Sequence, residues 1–140
     1  METERHRANY IGAPEFFHLN SLCRILNDAF GYHNYLVGSS IIKRDFRDVD
    51  IRCILEDEEF DRMFPDSKGT AGTGKGECSW VHDARWSILC ASISEWLSTR
   101  SNLKVDFQIQ RQTNANEMYP HGLGHERHAL GLFIHEADRT

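Results

Sequence analysis

Proline is scarce in this sequence, with three in 140 residues, and no apolar run approaches the roughly 18 residues that a membrane-spanning helix needs. No membrane partner is expected. There is no Cys-x-x-Cys pair, no internal repeat and no low-complexity tract. Basic residues are in deficit, with sixteen Lys and Arg against twenty-one Asp and Glu, for a net charge of −5. That excludes a surface that grips nucleic acid wholesale but leaves room for a local basic site. The opening "METERHRANY" lacks the apolar stretch of a secretory signal, so a cytoplasmic location is expected. Four cysteines are widely spaced. Their even count is compatible with disulfides, yet without a signal segment reduced thiols are expected. Cys23, Cys53 and Cys90 fall on apolar faces and read as small core hydrophobes.

What is present suits one domain, long enough to bury roughly 70% of its unfolded surface. The expected layout is a core over about 14–110, a glycine-rich loop over about 65–79 and a short C-terminal extension, 111–140. Residues 14–30 predict a helix, with Leu19, Leu22, Cys23, Leu26 and Phe30 at three- and four-residue steps. Pro14 suits its first turn and Gly31 its end. "YLVGS" reads as a short buried strand ending at Gly-Ser. In 48–55, Val49, Ile51, Cys53 and Leu55 point one way and Asp48, Asp50 and Arg52 the other. A short acidic helix, "DEEFDRMF", follows. A helix over about 80–97 carries Trp86, Leu89, Cys90, Ile93 and Leu97 on one face. In 103–110, Val105, Phe107 and Ile109 alternate with Lys104, Asp106, Gln108 and Gln110. A polar stretch comes next, then "HALGLFIHE", a final edge strand or short helix. The expected class is α+β, a small mixed sheet with helices packed on its apolar face.

The polar faces of those strands carry the chemistry. Asp48 and Asp50 leave the same side of one strand, and Asp106 holds the matching place on another. If the strands are neighbours, three carboxylates converge and repel unless a cation joins them. Mg²⁺, or Mn²⁺ in its place, is the expected ion, because it pairs a few carboxylates with phosphate oxygens. Two such ions would clamp an in-line phosphoryl displacement. Asp45 lies close enough to assist. Upstream, Gly38 allows close backbone approach to an anion, and the Ser39 hydroxyl can donate to phosphate oxygens. Lys43, Arg44 and Arg47 add positive charge in the connection.

At these residues the chain resembles the DNA polymerase β-like nucleotidyltransferase superfamily. The elements are "VGS" (37–39), "DVDI" (48–51) and "VDF" (105–107), with helices placed as in that fold, over about residues 16–110. The resemblance implies metal binding by Asp48, Asp50 and Asp106, nucleotide-phosphate contact by Gly38 and Ser39, and help from Asp106 in activating the acceptor hydroxyl. The pattern departs in four ways, the first being that "IIKRDFR" (41–47) replaces the small residues and second glycine often found in this connection. Only eight residues separate Gly-Ser from the first acid, Arg47 stands where a Ser is familiar, and no helical domain follows the third strand. A minimal catalytic core is implied, completed by a partner protein, a second copy or its own glycine loop.

Other motifs are weaker. Gly69, Gly74 and Lys75 match a phosphate loop, but Gly76 replaces the metal-binding hydroxyl and no buried strand precedes it. His121, His125 and His128 have helical spacing for zinc, although Gly122 and Gly124 oppose a helix; surface histidines, or contact with substrate alongside Arg127, are the other readings. The expected function is transfer of NMP from an NTP such as ATP to an acceptor hydroxyl on a protein, an RNA or a small molecule, with release of pyrophosphate. The alternative is a nucleotide-binding or protein-interaction module on the same fold with little or no turnover. A zinc-binding regulatory protein is a third option.

Overall fold

The computed structural model describes residues 9–31, 34–65, 83–120 and 125–132. In chain order these hold α1 (Glu15–Phe30), β1 (Asn34–Val37), α2 (Ser39–Ile42), β2 (Val49–Leu55), α3 (Asp57–Met63), α4 (Ala84–Ser101), β3 (Val105–Arg111), α5 (Gln112–Met118) and β4 (His128–Leu130). The sheet runs β3-β2-β1-β4. β1 is antiparallel to both β2 and β4, while β2 and β3 are parallel. A parallel pair needs a long crossover, and α3 and α4 lie within this one. The α+β class and the mixed sheet are as the alternation predicts.

Helix α1 buries Leu19, Cys23 and Leu26 in the core that also holds Leu36, Ile51, Cys53 and Phe107. It ends where Gly31 takes φ +75° and donates its N–H to the Asn27 carbonyl at 2.8 Å. Helix α4 begins at Asp83, whose Oδ1 accepts the Trp86 N–H at 3.0 Å. Trp80 and the rest of the expected first turn lie outside the described residues.

Helix α4 also seals the open edge of β3. The Ser94 hydroxyl accepts the Phe107 N–H at 2.8 Å, Ser98 accepts the Val105 N–H at 2.9 Å, and Cys90 Sγ accepts the Ile109 N–H at 3.4 Å. Four helical residues rise about 6 Å and two strand residues about 6.6 Å, so the steps 90, 94, 98 keep pace with 109, 107, 105. An edge that would otherwise offer unpaired N–H groups is closed.

The short strand β4 is tied down by asparagines of α1. Asn27 Nδ2 donates to the Leu130 and Gly131 carbonyls at 3.0 and 3.2 Å, and Asn20 Oδ1 accepts the Gly131 N–H at 2.7 Å. Two short helices differ from expectation. The connection after Gly38 is helical over α2, and the polar stretch after β3 forms α5. The latter is fixed by tertiary contacts, not by an apolar stripe: Asp57 Oδ1 accepts the Thr113 N–H at 3.0 Å, and Asn114 and Ala115 are buried. Among the described residues no helix is long and apolar enough to cross a membrane.

Candidate functional site

Strand parity and register decide which side chains meet. Asp50 pairs with Asp106 across the parallel strands, Arg52 with Gln108 and Ile54 with Gln110. On the other side of β2, Val37 pairs with Asp50 and Tyr35 with Arg52. The polar face of the sheet thus carries a row of Asp106, Asp50 and Val37, beside a row of Gln108, Arg52 and Tyr35.

Gly38 follows the first row immediately. Its φ of +85° and ψ of −157° lie in a region essentially reserved for glycine. A Cβ there would fall 2.4 Å from Asp50 Oδ2. The turn therefore closes directly onto the Asp50 carboxylate: conformation requires the glycine, and a Cβ there would displace the carboxylate.

A third residue completes the charge pattern. The Arg52 Nη1 donates to the Asp106 carbonyl at 2.8 Å, and its Nη2 lies 3.4 Å from Asp106 Oδ2 and 3.9 Å from Asp50 Oδ1. Burial pushes the Asp50 carboxyl above its ordinary value; Arg52 opposes the shift, and the negative charges of Asp106 and Asp48 add to it. Asp48, just before β2, faces Lys104 Nζ at 3.5 Å. Its Oδ1 is occluded and makes no hydrogen bond, although the side chain as a whole is 42% exposed. The lysine is near enough for attraction but not placed to donate.

Asp50 and Gly38 open into a cavity of about 330 Å³ on the polar face. Val37, Arg52 and Ile54 floor it, and Gln110, Tyr119, His125 and Arg127 wall its other side. Asp48 and Asp106 flank Asp50 outside this lining. Among the described residues, no group of three His, Cys, Asp or Glu side chains is arranged to hold a metal ion. The donor set still suits a hard divalent cation in kind. Asp50 and Asp106 are in register, their mutual repulsion is what such an ion would relieve, and Arg52 already supplies part of that charge.

The structure brings Gly38, Asp50 and Asp106 together, with Asp48 adjacent and turned to Lys104. Ser39 opens α2, and neither it nor Lys43 nor Arg44 lines the cavity. Arg44 instead lies over the Tyr10 ring, 5.9 Å from its centroid. Lys43 ends α2 in extended conformation and is exposed. The expected glycine loop, with Lys75, lies outside the described residues, as does His121 of the histidine trio. His125 packs edge-on against Tyr119 and His128 sits in β4 beside Glu126. Sequence reasoning placed Arg52 and Gln110 on polar strand faces without giving them a role at the site, and it did not single out Tyr119. The signal for Arg52 was its parity with Asp50. No known protein-family model, curated protein or solved structure matches this chain.

Proposed function

We propose that the chain is a metal-dependent nucleotidyltransferase that moves NMP from an NTP to an acceptor hydroxyl and releases pyrophosphate. The observation that carries the reading is the cross-strand pair Asp50 and Asp106 with the Gly38 turn closed against it at the mouth of a cavity. Asp50 and Asp106, with Asp48, would hold Mg²⁺ or Mn²⁺, whose charge would offset that of the phosphates. The chain's own part is to position and to move a proton. The Gly38 turn lets a phosphate approach the backbone. Asp106, half-exposed, accepts the proton of the acceptor hydroxyl. The acceptor oxygen bonds to the α-phosphorus, and the bond to the bridging oxygen breaks, so that pyrophosphate leaves with the electron pair. Arg52 holds the Asp106 backbone and side chain in place throughout.

Arg52 also favours the second reading, a nucleotide-binding or interaction module. A guanidinium that faces two carboxylates offsets part of their charge without any ion. Each α-labelled NTP, supplied with Mg²⁺ or Mn²⁺ and a host-like lysate, separates the two. Label transferred by wild type but not by Asp48→Ala/Asp50→Ala establishes the enzyme, and nuclease or protease sensitivity of the product names the acceptor. Metal-dependent NTP binding without transfer leaves the module. Silence in both assays refutes both.

A further inference from the structure

The cavity contains one cation that the carboxylates do not account for. Asp50 and Arg52 lie 3.9 Å apart, and Arg52 is further engaged by Asp106. Arg127 is different. Its Nη2 reaches the Ala115 and Tyr119 carbonyls, both at 3.4 Å, and it forms no ion pair among the described residues. A guanidinium has five N–H donors in a rigid fork, and only Nη2 is engaged among the described residues. Burial lowers its proton affinity, with only the Tyr35 phenol acting the other way. A partly desolvated cation without an anion is costly unless a ligand provides one. Beside it, His125 Nδ1 is buried without a hydrogen-bond partner, and the Gln110 side chain is 2% exposed. The lining holds two guanidiniums and one carboxylate. Arg52 is taken up by Asp50 and Asp106, which leaves Arg127 as the lining cation without a carboxylate among the described residues.

We propose that Arg127 is an anion seat that receives a phosphate group of the ligand bound across the sheet's polar face. The choice of phosphate rests on the nucleotidyltransferase reading, whereas the seat itself rests on a guanidinium without an ion pair among the described residues. Leu36 pairs with His128, so Arg127 continues one step along that register, level with Val37 and next to the Gly38 turn; both line the cavity, and one ligand there can touch both. The phosphate is either the distal end of the nucleotide tail or a phosphate carried by the acceptor.

The test is calorimetric titration of the full chain in EDTA, without divalent metal, so that it is independent of turnover. Inorganic tripolyphosphate stands for the nucleotide tail and ribose 5-phosphate for an acceptor ester. A charged hydrogen bond of about 1.5–3 kcal/mol corresponds to roughly 10- to 100-fold in affinity. Arg127→Gln should weaken one or both probes by at least about tenfold, and Arg127→Lys by less. Loss for tripolyphosphate alone assigns the seat to the nucleotide tail, and loss for ribose 5-phosphate alone to the acceptor. Should Arg127→Gln unfold, Val37→Glu places a competing carboxylate in the same cavity and should weaken the same probe with Arg127 intact. Wild type that binds neither probe, or variants that bind as wild type does, overturns the proposal. If the seat binds anions and the transfer assay fails, only the catalytic reading falls.

Discussion

Replacing Gly38 by alanine separates a conformational effect from a chemical one. Its dihedral angles, φ +85° and ψ −157°, cost a non-glycine residue about 1–3 kcal/mol. The added Cβ would also sit 2.4 Å from Asp50 Oδ2, 3.3 Å from its Cγ and 3.4 Å from its Cβ. Strand β2 is held on both sides, by β1 and β3, so its backbone stays and the carboxylate swings away. Gly131→Ala is the control. Its φ is likewise positive, at +73°, but the new Cβ meets Arg24 N and the Cys23 carbonyl carbon of α1, each at 2.6 Å, where no rotation gives relief. In urea unfolding, Gly38→Ala should lose about 1–3 kcal/mol and Gly131→Ala more. At a temperature where both remain folded, Gly38→Ala should lose NTP binding while Gly131→Ala keeps it. Equal retention in the two variants would refute the dependence of the Asp50 carboxylate on the glycine turn.

Three further outcomes are expected. Ser94→Ala and Ser98→Ala each strip a buried β3 N–H of its acceptor, so each should cost about 1–3 kcal/mol in urea unfolding; losses below about 0.5 kcal/mol would show that α4 does not seal that edge. The Asp50 carboxyl titrates above its ordinary 3.8 chiefly because it is buried, so the native state holds that proton to higher pH than the unfolded chain does. Its contribution to stability therefore falls as pH rises from 3.8 through the raised value. Asp50→Asn should remove this slope and be at least as stable as wild type near neutral pH; a variant less stable by more than about 1 kcal/mol would contradict the assignment. Burial pushes the thiols of Cys23 and Cys53 up to about 12 and that of Cys90 to about 11, so all three should resist iodoacetamide until urea unfolds the chain, as read by mass spectrometry.

The strands were legible because period-two alternation fixes faces without knowledge of partners. Val49, Ile51 and Cys53, like Val105, Phe107 and Ile109, are buried as that alternation requires. Helix α1 was legible from Leu19, Cys23 and Leu26, and from the glycine after it. Helix α5 was not, since "QTNANEM" has no apolar stripe and is held by Asp57 and Arg111. Likewise the helix α4 was read only from its apolar residues, and Ser94 and Ser98 carried no signal. Their purpose depends on how α4 lies along β3, which helical periodicity does not encode.

The site divides along the same line. Parity alone put Asp50 and Asp106 on the polar face, and a slip of one residue between β2 and β3 would have sent one of them into the core. The same parity put Arg52 beside Asp50, but its role follows from register, because only the pairing of Asp50 with Asp106 gives one guanidinium two carboxylates to bridge. Arg127 was open to a substrate-contact reading beside the terminal histidines, but its route to the cavity was not legible. It reaches the cavity because the next residue, His128, pairs with Leu36 of β1, and that pairing lies 92 residues along the chain. No local pattern announces such a contact. The acids could thus be found from the sequence, while the cations that set what the acids can bind depended on which strands became neighbours.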